Sequence, residues 1–242
     1  MKLKNIFKFI LKIINGLIKF TRDYIKFKHN EDNRFKLNLK ETMIIIGENT
    51  KNTEFSSHYI YHTAWAARKI KQLKIKTHID ISSSLYFVSI ISAFIKVKYY
   101  DYRPIKLNLK NISSNHADLT KLNFKTNTIQ SLSCMHVVEH IGLGRYGDPI
   151  DPKGDLKAIK ELKRVISKKG NLFFVVPIGN PKIIFNAHRI YSYNQIMSYF
   201  KNEFKLKEFS LITDTHKYIQ NSKKKVADKQ NYGCGCFWFV KK

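Results

Sequence analysis

The sequence predicts an α/β protein built on a doubly wound, mostly parallel sheet with helices on both faces. Segments with strand patterns alternate with segments of helical period between residues 74 and 240, as they do in repeated βαβ units. The strand predicted at 129–138 contains His136 near its end and leads directly into Glu139 and His140. Titratable side chains at the carboxyl end of a buried strand are typical of a ligand site in an open α/β sheet.

The individual elements follow from local patterns. The segment 155–166 has apolar residues at helical spacing, and Ser83 or Ser84 can cap a helix that begins at residue 85. The segment 171–177 is almost continuously apolar, as strands buried on both faces are. Helices are predicted at 85–95, 155–166 and 193–202, and strands at 74–82, 97–102, 129–138, 171–177, 206–213 and 232–240.

Composition limits the classes of protein that need to be considered. With 242 residues and a hydrophobic content of 43%, the chain can form one full α/β domain and is not a disordered chain. The net charge of +26 comes mostly from lysine, since only seven of the 44 basic residues are arginine, and the lysines are spread along the chain. Nucleic-acid binders concentrate basic groups in stripes, often with arginine and aromatic residues, so nucleic acid is not an expected partner.

The cysteines indicate the compartment. Cys134, Cys234 and Cys236 are few, odd in number and without paired spacing, which favours a reducing compartment and a cytoplasmic location. Cys234 and Cys236 form a Cys-x-Cys sequence with no histidine at ligand spacing. We therefore expect two small residues in a buried strand and predict no metal site.

The N-terminal region differs from the rest of the chain. The predicted organisation is a basic amphipathic helix at 1–26, a linker or N-terminal extension at 27–58 and the α/β domain at 59–242. Lys4, Lys8, Lys12 and Lys19 fall on one narrow face of the helix, and the remaining faces are mostly Ile, Leu and Phe. Either the apolar face inserts into an anionic membrane surface, which would hold the protein at the inner face of the membrane, or it docks on the α/β domain. No apolar run is long enough to span a bilayer.

Three carboxylates follow successive strands of the predicted sheet. Asp80 lies near the end of the first strand, and Asp101 lies 21 residues later near the end of the second. That spacing is close to the distance at which a carboxylate binds ribose hydroxyls in nucleotide-binding sheets. Asp118 follows in a turn where an adenine would be bound. Each aspartate alone is more simply a turn residue, but the ordered set indicates a nucleotide-like ligand.

Several motifs carry a resemblance to a known family. They are Trp65-Ala-Ala-Arg-Lys69, Thr77-His-Ile-Asp-Ile81, Leu132-Ser-Cys-Met-His-Val-Val-Glu-His140, Gly142-Leu-Gly-Arg-Tyr-Gly-Asp-Pro-Ile-Asp-Pro152, Val176-Pro-Ile-Gly179, Phe185-Asn-Ala-His-Arg189 and Tyr232-Gly-Cys-Gly235. The chain resembles class I S-adenosylmethionine-dependent methyltransferases. More narrowly, it is similar to a bacterial methyltransferase-like family, a domain of unknown function found with surface-polysaccharide genes. The resemblance covers roughly residues 59–241, and the block from Gly142 to Pro149 is specific to the narrower family.

The resemblance implies a Rossmann-like sheet of seven strands with an antiparallel last strand, and S-adenosylmethionine as cofactor. The implied cofactor-binding residues are Asp80, Ser82, Ser84, Asp101, Asp118, Leu119 and His136. Methyltransferases of this kind have glycine in the turn after the first strand, where this chain has Ser82 and then Tyr86 near the expected pocket. A Cβ fits there if the φ of Ser82 is negative, and serine hydroxyls can contact the cofactor carboxylate. For His136, a satisfied histidine in the core is the alternative.

The acceptor side of the site is predicted from the segments after the fourth and fifth strands. His140 is the first candidate for a general base, and Glu139 and Asp148 complete the predicted catalytic set. Equally, His140 and Glu139 could only stabilise the loop by hydrogen bonds. The predicted acceptor-binding residues are Arg145, Tyr146, Asp151, His188 and Arg189. For Arg145, the alternative to an acceptor clamp is an ion pair with Asp148 or Asp151.

These residues together predict methyl transfer to a small or lipid-linked saccharide precursor of a surface polysaccharide, the acceptor class being implied by the resemblance alone. A non-catalytic methyltransferase-like binding subunit is the main alternative, since the glycine of the first turn is missing. A nucleic-acid methyltransferase has support only from the net charge.

Overall fold

The structure is a computed structural model that describes residues 3–30 and 34–242. Residues 1–2 of the predicted amphipathic helix and 31–33 of the predicted linker lie outside the described residues. The chain divides into two units, Met1–Phe55 and Ser56–Lys242. The boundary expected between residues 58 and 59 falls inside the first helix of the second unit.

The first unit is dominated by one long helix, α1, at Leu3–His29. It continues three residues past the predicted end, and the Asn30 side chain then donates a hydrogen bond to the Lys26 carbonyl at 2.8 Å. A short 3-10 helix at Leu39–Glu41 lies in the segment predicted as a linker. Gly16 of α1 packs so closely on Ile46 that a Cβ at this position would clash with it. None of the helices in the described ranges has the length and apolar content needed to cross a membrane.

The second unit contains a twisted sheet of eight strands in the order β3-β2-β1-β4-β5-β10-β8-β9. The strands are β1 (Thr77–Ile81), β2 (Lys96–Asp101), β3 (Ile112–His116), β4 (Ile129–Met135), β5 (Ile166–Ile178), β8 (Phe204–Ile212), β9 (Tyr218–Ile219) and β10 (Gly233–Lys241). The strands from β3 to β5 in this order are parallel, and β10 is antiparallel to both β5 and β8. The predicted doubly wound sheet with an antiparallel last strand is confirmed. The eighth strand, β9, is a two-residue addition at the edge beside β8.

Helices cover both faces of this sheet. They are α2 (Ser57–Gln72), α3 (Leu85–Ile91), α4 (Gly154–Val165), α5 (Tyr193–Phe200) and the single turn α6 (Lys224–Ala227). The helices α2 and α3 pack on one face with Phe173, whereas α4 and α5 pack on the other with Phe174. Because side chains alternate along a strand, the neighbours Phe173 and Phe174 enter opposite layers. This explains why the 172–178 part of β5 is apolar at every position.

Several elements differ from the prediction. The helix expected at 85–95 already ends at Ile91, and β5 begins at Ile166, directly after α4. The helix α2, the edge strand β3 and a separate hairpin of β6 (Lys182–Ile184) and β7 (His188–Ile190) were not predicted. β3 has the sequence Ile-Ser-Ser-Asn-His and is mostly exposed, so it lacks the apolar pattern that identifies a central strand.

The direction of the strand order reverses between β1 and β4. After β1, the next strands in the sequence, β2 and β3, are added on one side of β1. After β4, which lies on the other side of β1, the next strand, β5, is added farther from β1. Beyond the carboxyl ends of the strands at such a reversal, the connecting segments diverge and leave a crevice. The candidate site lies there.

Candidate functional site

A cavity of about 370 Å³ lies at the carboxyl ends of β1, β2 and β4. The predicted site residues in its wall are Ser82, Asp101, Asp118, Leu119, His136, His140, Tyr146, Asp148 and Asp151. Asp80, Ser84, Glu139, Arg145, His188 and Arg189 are outside the wall. The crevice therefore brings the expected cofactor side and the expected acceptor loop together around one space.

Ser82 forms the turn after β1 in a left-handed conformation. Its φ is 55°, and its backbone N–H donates to the Tyr100 carbonyl at 2.8 Å. The condition for accommodating a Cβ, a negative φ, is therefore not met, and the turn has the geometry that glycine adopts without strain. Tyr86 is 85% exposed and is not part of the cavity wall, so it does not fill the pocket.

Asp80 stabilises this turn by a hydrogen bond and does not line the cavity. It is fully buried, and its Oδ1 accepts a hydrogen bond from the Ser83 N–H at 3.0 Å. Its Oδ2 accepts from Ser133, whose hydroxyl is 2.8 Å from Nε2 of His78. Burial raises the pKa of Asp80 to about 7. The prediction of direct cofactor contact by Asp80 is therefore corrected to a structural role, and Ser84, which precedes α3, also lies outside the wall.

Asp101 and Asp118 present carboxylates to the cavity. At the end of β2, Oδ2 of Asp101 accepts from the Tyr99 hydroxyl at 2.9 Å and Oδ1 from the Arg103 N–H at 2.7 Å. Asp118 accepts from the N–H and the hydroxyl of Thr120, and both bonds use Oδ1. These hydrogen bonds hold both side chains in place. Because each carboxylate oxygen can accept more than one hydrogen bond, both carboxylates can still accept bonds from a ligand. Leu119, which is buried, adds an apolar surface to the same wall.

His140 has a defined tautomer. Its Nδ1 lies 2.6 Å from the Ala187 carbonyl oxygen. A carbonyl only accepts, so Nδ1 carries the hydrogen and Nε2 of the neutral ring has a free lone pair. Oε1 of Glu139 lies 3.9 Å from Nε2. His140 lines the cavity and can therefore accept a proton from a bound molecule.

Glu139 and His136 form a second, buried pair. Glu139 is 1% exposed, and its Oε1 is 2.7 Å from Nδ1 of His136. His136 adopts a φ of 56° and directs Nε2 toward the Cys234 sulfur at 3.3 Å. Its ring lies near those of His58 and His62 in α2, with centroid separations of 5.8 and 5.1 Å. His136 is thus neither an isolated core histidine nor only part of the cavity wall.

The loop after His140 is held by its own acidic residues. Asp148 accepts from the Gly142 N–H through Oδ2 at 2.7 Å and from the Tyr146 N–H through Oδ1 at 3.2 Å. Gly142 has a φ of 80°, and a Cβ there would strike the Asp151 carbonyl. Both oxygens of Asp148 hold the loop, and Asp148 also lies in the cavity wall, so its catalytic role stays a prediction. Asp151 pairs with Lys157 at 2.8 Å, and this bond lowers the pKa of Asp151.

The three remaining acceptor-side predictions lie outside the cavity wall. Arg189 is buried and donates to the Ile141 carbonyl at 2.7 Å, which ties β7 to the loop instead of to a ligand. Arg145 is exposed, donates to the Ala187 carbonyl at 3.2 Å and stacks over Tyr146. His188 is half-buried beside Tyr232, and burial lowers the pKa of His188. The predicted ion pair of Arg145 with Asp148 or Asp151 is not among its contacts in the described chain.

Some residues of the site were not identified from the sequence. Arg103 lines the cavity, and its guanidinium lies 4.8 Å from the Tyr146 ring centroid. Lys157 and Thr120 also contribute to the wall. The signal for Arg103 was its position two residues after Asp101, but Lys157 looks like any exposed lysine in a lysine-rich helix.

Comparison with solved structures identifies the fold as that of class I methyltransferases. The N-methyltransferase NodS from Bradyrhizobium japonicum, solved with S-adenosyl-L-homocysteine, matches with a TM-score of 0.52 at 10% identity, over 78% of this chain and 89% of NodS. The Burkholderia thailandensis 1,6-didemethyltoxoflavin-N1-methyltransferase matches with a TM-score of 0.52 at 7% identity, over 75% and 78% of the two chains. The [4+2]-cyclase SpnF matches with a TM-score of 0.51 at 10% identity, over 73% and 80%.

Sequence comparison gives fewer matches than structure comparison does. No functionally curated protein matches the sequence significantly. The family model described as Caenorhabditis protein of unknown function, DUF268, matches residues 91–233. This segment includes the end of α3, the strands β2 to β9 and the loop beside the cavity. Since it is more than half of the chain, the protein belongs to the DUF268 family.

Proposed function

We propose that the protein is an S-adenosylmethionine-dependent methyltransferase. The main support is the cavity at the strand reversal, which has Asp101 and Asp118 on one side and His140 on another. Carboxylates at the ends of β2 and after β3 suit a ligand with ribose hydroxyls and an adenine amine, and His140 suits an acceptor that must lose a proton. The similarity to methyltransferases of known structure supports the fold on which this assignment depends.

The residues around the cavity have separate tasks in this proposal. Asp101 accepts hydrogen bonds from the ribose hydroxyls, Asp118 accepts from the adenine amine, and Leu119 packs against the base. The turn at Ser82 would hold the amino-acid portion of the cofactor. When bound, S-adenosylmethionine supplies an electrophilic methyl group on a sulfonium sulfur.

His140 acts as the general base of the transfer. Its Nε2 removes the proton from an acceptor hydroxyl or amine, while Nδ1 remains bonded to the Ala187 carbonyl. With the cofactor bound, the deprotonated acceptor atom would take the methyl group from the sulfonium sulfur, which would keep the electron pair of the broken carbon–sulfur bond. Glu139, 3.9 Å from Nε2, stabilises the positive charge that His140 then carries.

For the acceptor we propose a small or lipid-linked saccharide precursor of a surface polysaccharide, the class implied by the sequence resemblance. Tyr146 offers an aromatic ring in the cavity wall against which a sugar face can pack. Arg103 and Lys157 add positive charge to the same wall, which suits a phosphate or carboxylate on the precursor. A cytoplasmic protein that associates with the anionic inner face of the membrane through α1 would reach a lipid-linked acceptor.

A non-catalytic binding subunit is the second candidate function. The observation in its favour is Ser82, a non-glycine residue in a left-handed conformation in the turn after β1. The similarity to the [4+2]-cyclase SpnF is compatible with uses of this fold other than methyl transfer. This candidate predicts no cofactor binding even after Ser82→Gly.

Calorimetric titration with S-adenosylmethionine and S-adenosyl-L-homocysteine tests the proposal. The full chain should bind both, and Asp101→Ala should weaken binding by about 10- to 100-fold, since hydrogen bonds to a charged group each contribute about 1.5–3 kcal/mol. Asp228→Ala, at an exposed aspartate directly after α6 and outside the cavity wall, is the matched control and should bind as wild type does. Absence of heat at millimolar ligand in both wild type and Ser82→Gly would reject the methyltransferase proposal.

A further inference from the structure

Three potential metal ligands converge beside the cavity although they are far apart in the sequence. His58 lies in the first turn of α2, His136 follows β4, and Cys234 is near the start of β10. One ring nitrogen of each histidine and the Cys234 sulfur lie within 4.8 Å of one another. The histidines that the Cys-x-Cys sequence lacked at ligand spacing are thus supplied by two other elements.

The pairing of His136 with Glu139 is the arrangement found around metal-bound histidines. In such sites the ring nitrogen that does not bind metal donates to a carboxylate, which fixes the tautomer and orients the ring. Here Nδ1 of His136 lies 2.7 Å from Glu139, so Nε2 has a lone pair and faces the Cys234 sulfur at 3.3 Å. The other oxygen of Glu139, Oε2, is buried and has no hydrogen-bond partner in the described chain.

His62 provides a further, independent observation. It is fully buried, and its Nδ1 is 2.6 Å from the His58 carbonyl oxygen, so Nδ1 carries the hydrogen. Its Nε2 therefore has a lone pair that is buried without a partner among the described residues. The His62 ring centroid is 5.1 Å from that of His136. A buried nitrogen lone pair without a donor is costly in a protein interior, and a cation nearby removes that cost.

We propose that His58, His136 and Cys234 bind a zinc ion or a similar borderline-soft divalent cation, with Glu139 orienting His136. Two imidazoles and one thiolate suit zinc, and the hard cations Mg²⁺ and Ca²⁺ prefer oxygen ligands. Binding forms a sulfur–metal bond and releases the Cys234 thiol proton to solvent. Three protein ligands leave a fourth position for water. Since His136 also lines the cavity, the ion lies at its border.

Cobalt substitution provides a direct test on the full chain. Protein stripped with a chelator and kept reduced is titrated with Co²⁺, followed by displacement with Zn²⁺. We expect one equivalent to bind, with the visible bands of a four-coordinate cobalt site and a near-ultraviolet thiolate-to-cobalt charge-transfer band. Cys234→Ser should lose the charge-transfer band, and Glu139→Gln should weaken Zn²⁺ binding by about 10- to 100-fold, as removal of an outer carboxylate does.

The matched control is Cys236→Ser, two residues along β10 and equally buried. It should keep the charge-transfer band and the wild-type affinity. Circular dichroism checks that each variant is folded, and His58→Gln, at a half-buried position in the first turn of α2, tests the site if Cys234→Ser does not fold. Failure of the wild type to bind one equivalent, an unchanged charge-transfer band in Cys234→Ser, or wild-type affinity in His58→Gln would overturn the proposal.

Discussion

Ser82 is the residue at which this chain departs from the glycine expected in a methyltransferase turn. Its φ of 55° places a Cβ in a conformation that costs an L-residue about 1–2 kcal/mol. The backbone hydrogen bond to Tyr100 and the hydroxyl contact with the same carbonyl at 3.3 Å maintain the turn in spite of that cost. The turn is therefore strained but intact.

Replacing Ser82 with glycine should stabilise the protein and improve cofactor binding. We expect Ser82→Gly to raise the free energy of unfolding by up to about 1 kcal/mol, because the relief of strain exceeds the extra chain entropy of glycine, about 0.5–1 kcal/mol. Urea unfolding gives the stability, and calorimetry gives the affinity. Ser84→Gly is the control, since Ser84 has a φ of −61° and should lose stability. Equal losses in the two variants would contradict the strain argument.

Asp80 and His78 have opposite pH dependence within one buried network. Burial raises the pKa of Asp80 from 3.8 to about 7 and lowers the pKa of His78 from 6.5 to about 3. The folded state therefore binds more protons at Asp80 than the unfolded state does, and the contribution of Asp80 to stability falls as the pH rises from about 4 to about 7. At His78 the unfolded state binds more protons, so stability rises between about pH 3 and pH 6.5.

Asp80→Asn should separate the two effects. The variant retains only the His78 dependence in this network, so its stability should increase as the pH rises from about 3 to 6.5. The wild type should have its largest stability advantage over Asp80→Asn near pH 4 and lose it progressively toward pH 7. Urea unfolding of both proteins at several pH values measures this difference. A difference that is constant across the range would show that Asp80 is ionised in the folded protein.

The sequence predicted the positions of the site residues better than their roles. Asp101, Asp118 and His140 could be placed because the end of a strand in a parallel sheet determines which edge a residue occupies. The hydrogen-bond partners of Asp148 and Arg189 could not be predicted, because they are backbone N–H groups and carbonyls whose positions depend on the folded loop. The cluster at His136 was missed because its members come from three separate elements.

At the scale of elements, α1 is unusual because many of its large apolar side chains are exposed. Large apolar side chains along it are exposed, among them Phe7 at 65% and Phe9 at 61%. Within the first unit, its Gly16 region packs on Ile46, so part of the helix surface is covered and much of its apolar surface is not. Exposed apolar surface next to lysine is typical of helices that lie in a membrane interface.

We propose that α1 binds anionic membranes, and sedimentation with vesicles tests this. The protein should bind vesicles that contain anionic lipid, and binding should weaken as salt is added, since each lysine near the surface contributes about 1 kcal/mol. The double variant Phe7→Asn, Phe9→Asn should bind at least tenfold more weakly, and vesicles of neutral lipid serve as control. If deletion of residues 1–26 instead melts the α/β unit, α1 is a docked structural element.

Helices were predictable where a repeated apolar pattern continues along the sequence. They were missed where polar residues obscure that pattern. The apolar period of α4 gave the helix within one residue at each end, Gly154–Val165 against 155–166. α2 was missed although it contains Trp65 and Lys69, since its histidines and lysines obscure the apolar face. That face could be recognised only from its partners on the sheet.

At the scale of the α/β unit, a buried charge pair joins a helical layer to the sheet. The Lys69 ammonium of α2 lies 2.5 Å from Oε2 of Glu208 in β8, and the Trp65 indole donates to Oε1 of the same carboxylate at 2.8 Å. All three side chains are buried. The two residues of the Trp-Ala-Ala-Arg-Lys motif therefore fix the position of α2 on the sheet.

Removal of either charge should destabilise the protein strongly, because the other charge is left buried without a partner. We expect Lys69→Met and Glu208→Gln each to cost about 3–5 kcal/mol in the free energy of unfolding, and the double variant to cost less than the sum of the two. The control is Lys163→Met, which removes the partner of Glu203 in a pair that is 23% and 46% exposed and should cost about 1 kcal/mol or less. Urea unfolding measures all four variants. If Lys69→Met costs no more than Lys163→Met, the pair does not hold α2 in place, and packing around Trp65 must position the helix alone.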